Sequence, residues 1–167
     1  KNLYGNNSEL GRWLRSKNSI VQIGAYIFVH AGLSPKLMKS NLSIDQINNL
    51  VRKNLDRSKN EYSSIDSLVM RGNGPLWYRG YFTDNNYEKA SEQEINEILD
   101  HYKADCIIVG HTRFPIPTSL FSGKIKAINV NPPQDHRFIT PPRKCYGIFI
   151  KNGVFFIADE NGYLTEF

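Results

Sequence analysis

Two histidines, each directly after an apolar run, are the residues of this sequence best placed to do chemistry. His30 follows the apolar and aromatic residues 25–29, and His111 follows Cys-Ile-Ile-Val-Gly at residues 106–110. A short apolar run is typical of a buried strand, and the rigid end of a strand can hold an imidazole ring in one orientation. A neutral imidazole is a good ligand for zinc, manganese or iron. The two segments therefore predict that His30 and His111 bind one metal ion.

The alternative for each histidine is an ordinary core residue with a hydrogen-bonded ring. That alternative is favoured for a single strand-end histidine taken alone, but two such histidines with neighbouring glycines shift the balance toward a shared ion. A catalytic two-metal site needs several carboxylates or histidines, and the chain contains no Asp-x-His pair.

Arg79 is the third candidate, because it lies among the aromatic residues Trp77, Tyr78 and Tyr81. A guanidinium stacked on aromatic rings is held in place, and its planar fork then suits a phosphate group. The alternative is a surface arginine that merely covers exposed rings, and the sequence favours neither.

Four other residues are weaker candidates. Arg113 would face either an anion or water, and water is favoured. His101 lies on a predicted helix, where a ring exposed to solvent is the default interpretation. His136 lies in a Pro-rich segment without a supporting pattern, and Cys106 comes too early in its strand to be an obvious ligand.

The composition limits the classes of protein that fit. A length of 167 residues with 40% apolar residues predicts one domain with its own core. No segment approaches the roughly 20 apolar residues of a membrane span. The net charge of +5 is scattered rather than clustered, which argues against a nucleic-acid partner. Two cysteines make no disulfide framework.

The elements that would position these residues follow from caps, periodicity and turns. The pattern predicts a helix after Ser8, a strand hairpin around residues 24–25, and helices after capping boxes at Ser43 and Ser91. It predicts a polar loop over 56–75, strands at 106–109 and 125–130, and a Pro-rich loop over 131–143. Two strands joined at residues 151–153 and an edge strand near residues 162–165 complete a mixed α/β arrangement (α+β type).

Four segments together resemble a known family. They are ELGRWL at residues 9–14, FVHAGLSP at 28–35, GPLWYRGY at 74–81 and VGHT at 109–112. They occur in the order seen in the calcineurin-like metallophosphoesterases, and the third looks most like the bacterial and Shewanella-like branch of the phosphoprotein phosphatases.

The resemblance implies a fold, a site and a reaction. The fold would be part of a β-sandwich flanked by helices, with a mixed sheet and C-terminal antiparallel strands. His30 and His111 would ligate the same metal in a site for two divalent ions (Mn, Fe or Zn), and Arg79 would hold the substrate phosphate. A hydroxide bridging the metals would attack phosphorus, as in a Ser/Thr protein phosphatase. The substrate would be a phosphorylated protein or a small phosphomonoester.

The chain also departs from that family. The family's first half supplies Gly-Asp-x-His, Gly-Asp-x-x-Asp-Arg-Gly and Gly-Asn-His-Glu motifs, and none of them is present. Residues 1–167 are therefore expected to be the C-terminal part of a single metallophosphatase domain whose N-terminal half is absent. We expect this chain alone to be inactive and its exposed apolar surface to favour self-association. The alternative is a non-catalytic module that binds phosphate or a protein.

Overall fold

Two β-sheets and a layer of helices make up the computed structural model, which describes residues 3–82, 89–130 and 145–167. The strands are β1 Ile20–Ile23, β2 Tyr26–Val29, β3 Cys106–Val109, β4 Thr118–Leu120, β5 Ile125–Ala127, β6 Tyr146–Lys151, β7 Val154–Asp159 and β8 Leu164–Glu166. The helices are α1 Glu9–Arg15, α2 Pro35–Lys39, α3 Ile44–Asn54, α4 Ser64–Met70 and α5 Glu92–Tyr102, with a 3₁₀ helix at Lys59–Glu61. Within these ranges no helix has the length and apolar character to cross a membrane.

The larger sheet has the strand order β1-β2-β3-β5-β4. Its three central strands run parallel, and the outer strands β1 and β4 are antiparallel to their neighbours. Val29 pairs with Val109 at the ends of β2 and β3. Because the two strands are parallel and in register, the residues that follow them emerge side by side at one edge of the sheet.

One face of the larger sheet packs against the helices. Alternate strand residues such as Ile27, Val29, Ile107 and Val109 are buried there in the core that also holds the apolar faces of the helices. Burying one such side chain stabilises the fold by about 1.5–3 kcal/mol relative to leaving it exposed. The helix layer therefore holds the central strands rigidly.

The opposite face packs against the smaller antiparallel sheet β6-β7-β8. Cys106 and Ile108 contact Phe155 there, with Phe28 and Ile148 packed around them. The two sheets form a sandwich with helices on the outer side of one of them. The predicted α/β class and helix-flanked sandwich are confirmed.

Most local predictions are confirmed by hydrogen bonds and backbone angles. The hydroxyls of Ser8, Ser43 and Ser91 accept the capping hydrogen bonds of α1, α3 and α5. The turn between β6 and β7 places Asn152 at φ +52° and Gly153 at φ +81°, as a type I′ hairpin requires.

The prediction of a polar loop over residues 56–75 is wrong. Residues 59–61 form a 3₁₀ helix, and α4 follows Ser63, which makes a capping box with Asp66. Val69 is fully buried, and Leu68 and Met70 pack against the same core, so apolar packing and a good cap stabilise a helix that the polar composition of the stretch hid. Strand β5 ends at residue 127 rather than 130, and the predicted Pro-rich loop with His136 lies outside the described residues.

Candidate functional site

The rings of His30 and His111 meet at the carboxyl ends of β2 and β3. Gly110 N donates a hydrogen bond to the His30 carbonyl oxygen at 2.9 Å, which continues the parallel ladder by one residue. His30 Nε2 then lies 3.0 Å from His111 Nδ1. His30 is exposed, so it is not the buried core histidine of the alternative interpretation. The two rings come together as the sequence predicts, while their role as ligands stays a prediction.

The spacing of the two ring nitrogens fits a shared metal ion. Two nitrogens each about 2.0–2.1 Å from one zinc ion lie about 3.0–3.4 Å apart at angles of roughly 95–110°. The observed 3.0 Å lies at the short end of that range, and it also suits a direct hydrogen bond between the rings. His111 Nε2 is buried and has no hydrogen-bond partner among the described residues. If Nδ1 binds a metal ion, the N–H at Nε2 would donate a hydrogen bond to an acceptor outside the metal's coordination shell.

The backbone at His111 is held in an unusual conformation. Its φ is +58°, and Thr112 N donates to the Gly110 carbonyl oxygen at 2.6 Å, which closes a three-residue turn around His111. Such a γ-turn with a positive φ is strained for a residue with a side chain. A Cβ at Gly110 would lie 3.2 Å from the His30 carbonyl oxygen, so the close strand approach favours glycine there.

The loop after His30 is anchored to the Trp-Tyr-Arg segment. Ala31 N donates to the Pro75 carbonyl oxygen at 2.8 Å. The buried Tyr81 hydroxyl accepts from Leu33 N at 2.9 Å and donates to the Leu33 carbonyl oxygen at 2.8 Å. A Cβ at Gly32 would lie 2.8 Å from the Tyr81 ring, so only glycine fits. These contacts tie the segment that carries Arg79 to the end of β2.

Arg79 and Trp77 complete the site on the side of His111. The Trp77 ring lies edge-on to His111 with centroids 5.8 Å apart. Burial first, and then the positive charges of Arg79 and His30, lower the pKa of His111. A lowered pKa keeps the imidazole neutral near neutral pH, which is the form that binds metals. Trp77 stands out in the sequence only as a neighbour of Arg79, although the GPLWYRGY segment contains it.

Two of the other candidates, His101 and Cys106, lie away from the pair of rings. His101 is exposed on α5 and packs on Tyr102. Cys106 is buried at the opposite end of β3 between the sheets, where burial, aided by Asp105 and opposed by Lys126, raises the pKa of its thiol to about 11. Arg113 and Cys145 are exposed. Within the described ranges, no group of three or more His, Cys, Asp or Glu side chains could hold a metal.

Comparisons with known proteins point to phosphatases. No family model matches the chain. It is 35% identical over 99 residues, 58% of its length, to Shewanella-like protein phosphatase 1 of Plasmodium berghei (strain Anka), and it covers 26% of that protein. It superposes with a TM-score of 0.82 and 31% identity on the cold-active protein-tyrosine phosphatase of a psychrophilic Shewanella species, with 98% of this chain and 47% of that chain covered. A point mutant of a cold-active protein tyrosine phosphatase matches with the same TM-score and identity.

The chain therefore spans less than half the length of the relatives it matches. The resemblance to Shewanella-like phosphatases that the sequence motifs predicted is confirmed in sequence and in fold, and the similarity covers part of such a phosphatase.

Proposed function

We propose that this chain is the C-terminal part of the catalytic domain of a metal-dependent phosphomonoester hydrolase that acts on phosphorylated proteins. The observation that carries the proposal is the 3.0 Å separation of His30 Nε2 and His111 Nδ1 at the ends of adjacent parallel strands. The 31% identity to cold-active protein tyrosine phosphatases over nearly the whole chain supports the same reaction class.

In this proposal each described side chain has a defined role. His30 and His111 would hold a metal ion, which would supply Lewis-acid activation of water and stabilisation of negative charge on phosphorus. Arg79 binds the substrate phosphate through its planar fork, and its charge helps to keep His111 neutral. Trp77 forms a wall of the site beside His111.

Two imidazoles are too few ligands for a catalytic centre with two ions. Since the described residues offer no third His, Cys, Asp or Glu near them, the proposal places the remaining ligands in another segment of a longer protein. The complete site would hold two ions of manganese, iron or zinc. We expect the 167-residue chain alone to bind metal weakly and to show little activity.

The substrate phosphate is either phosphotyrosine or phosphoserine and phosphothreonine. The similar solved structures are named as tyrosine phosphatases, which favours phosphotyrosine, whereas the resemblance to phosphoprotein phosphatases favours the Ser/Thr class. Turnover of matched phosphotyrosine and phosphoserine peptides by the full-length protein would distinguish the two.

Substitution of each histidine tests the proposed function. In the metal-loaded full-length protein, His30→Ala and His111→Ala should each lower the turnover of p-nitrophenyl phosphate by more than about 100-fold, because each removes a metal ligand. His101→Ala is the matched control, since that ring is exposed on α5. Bound metal, measured by mass spectrometry, should fall with activity. Unchanged turnover in either site variant would end the proposal.

A second candidate is a phosphatase-like module that binds phosphate without hydrolysing it. The lack of a third ligand in the described part of the chain favours it. Full-length protein that binds phosphate in an Arg79-dependent way, yet turns over no phosphomonoester with any of the three metals, would support this candidate over the enzyme.

A further inference from the structure

A cavity of about 250 Å³ shares Trp77 with the candidate site. Its lining residues are Lys59, Met70, Arg71, Gly72 and Trp77. Among the described residues, the two charged side chains in this lining, Lys59 and Arg71, are cationic and exposed. Glu61 belongs to the same 3₁₀ helix as Lys59, but its carboxylate accepts a hydrogen bond from Ser58 N at 2.7 Å and does not line the cavity. The cavity is therefore basic with one aromatic wall.

The position of the cavity is set by hydrogen bonds and one close backbone approach between its two sides. Arg71 is the C-terminal cap of α4, and its Nη2 donates to the Lys59 carbonyl oxygen at 3.3 Å. Gly74 N donates to the Arg71 carbonyl oxygen at 2.8 Å. A Cβ at Gly74 would lie 1.7 Å from the Val69 carbonyl oxygen, so the chain passes α4 too closely for any other residue. The turn that leads to Trp77 is thus held against the end of α4.

The Trp77 ring joins the cavity to the pair of histidines. It lines the cavity, and its centroid lies 5.8 Å from the centroid of His111. The residue is 52% exposed, so a bound chain can pass across the ring. A phosphorylated residue at His30, His111 and Arg79 would then bring its sequence neighbours to Lys59 and Arg71.

We infer that this cavity is a specificity subsite for an anionic group that flanks the phosphorylated residue of a substrate. The inference rests on the proposed function and adds the substrate class: a phosphopeptide segment with a carboxylate or a second phosphate beside the phosphate that is removed. Arg71 suits a planar or tetrahedral oxyanion, and Lys59 supplies a second positive charge. About 250 Å³ is the liquid volume of roughly eight water molecules, enough for an acidic side chain or a phosphate group.

The test compares substrates with and without the flanking anion. In the metal-loaded full-length protein, kcat/KM is measured for phosphopeptides whose neighbours are alanine, glutamate or phosphoserine, together with p-nitrophenyl phosphate. The wild type should prefer the anionic flanks. The double variant Lys59→Glu with Arg71→Glu should lower kcat/KM for those two peptides by roughly tenfold, mainly through KM, as two exposed charge contacts are lost. A larger effect on the glutamate or on the phosphoserine peptide identifies which anion the subsite takes.

Lys151→Glu is the control for a charge reversal outside the cavity, because Lys151 is exposed on β6 in the smaller sheet. It should leave the preference for anionic flanks intact. An equal loss on the alanine peptide and on p-nitrophenyl phosphate in the double variant would overturn the inference.

Measurements of peptide binding distinguish a failure of this inference from a failure of the proposed function. If no phosphomonoester is turned over, the hydrolase proposal fails, and the same peptides with a non-hydrolysable phosphonate still test the cavity by fluorescence anisotropy. Equal Kd values for alanine and anionic flanks, or equal values for wild type and double variant, would then overturn the subsite.

Discussion

At the scale of single residues, His111 combines a strained backbone with a ring whose pKa is lowered. Its φ of +58° is a conformation that costs an L-residue with a side chain about 1–2 kcal/mol. The turn it makes directs the imidazole to His30, 3.0 Å away. Glycine would adopt this φ without that cost, so the proposed role as a metal ligand would explain why a histidine stands here.

Glycine at this position should relieve the strain and remove the proposed metal ligand. We predict that His111→Gly is about 1 kcal/mol more stable than His111→Ala, because glycine adopts a positive φ without a steric penalty. Urea unfolding with a chelator present measures the free energy of unfolding of both variants without metal.

A position inside a helix provides a control at which the alanine variant, not the glycine variant, should be the more stable. Asn96 is exposed in the middle of α5, where glycine is about 1 kcal/mol less stable than alanine. The order of the two variants should therefore reverse between positions 111 and 96. The same order at both positions would contradict the strain at His111.

At the scale of elements, the buried Asp66 joins α4 to α3. Asn54 Nδ2 donates to Asp66 Oδ1 at 2.6 Å, Ser63 Oγ donates to Oδ2 at 2.7 Å, and Arg57 Nη1 approaches Oδ2 at 3.2 Å. The hydrogen bonds of Ser63 and Asn54, with the charge of Arg57, hold the pKa of Asp66 well below its ordinary value. α4 carries Arg71 at its end, so this network also positions the basic cavity.

Asp66→Asn should destabilise the fold in a pH-dependent way. The folded-state pKa is lowered, so the carboxylate contributes stability above its unfolded value of about 3.9, and that contribution is lost as the pH falls through the folded value. We predict that the variant has a lower Tm than the wild type at pH 7 and that the difference narrows below about pH 4. Asp100→Asn, at an exposed site on α5, is the control. A Tm difference that is constant with pH would contradict the role of the charge.

At the scale of the whole molecule, the smaller sheet leaves part of the larger sheet uncovered. A groove of about 560 Å³ runs along the face that carries Val21, Phe28 and Ile108, next to His30. Val21 is 40% exposed although it lies on the sandwich side of β1. In the proposed longer protein, further strands would cover this groove. Among the described residues nothing covers it, and it is apolar surface open to water.

The isolated 167-residue chain should therefore self-associate. Sedimentation velocity should show a mass that rises with protein concentration, and Val21→Glu should reduce the association because it places a charge in the groove. Val154→Glu is the matched control, since that valine is 39% exposed on β7 outside the groove. A chain that is monomeric at all concentrations would contradict the prediction.

Much of the local structure could be predicted from the sequence because it depends on neighbours. The serines that cap α1, α3 and α5 and the turn at Asn152 and Gly153 act over two to four residues, and each occurs where the sequence predicts it. The sequence does not predict helix α4. Its one fully buried residue is Val69, which gives too little apolar periodicity to indicate a helix in a polar stretch. Its stability comes from packing on α3, which composition does not reveal.

The candidate site likewise has one part that the sequence predicts and another that only the tertiary structure decides. The residue types and the apolar runs before His30 and His111 are sufficient to name both histidines and Arg79, because a buried strand and its end have a local pattern. Their meeting depends on β2 and β3 being parallel neighbours in register, although the two histidines lie 81 positions apart in the chain. The strained turn at His111, the position of Trp77 and the basic cavity likewise follow from packing between distant segments. Such contacts arise only when the sheet and the helix layer assemble, so no local sequence pattern encodes them.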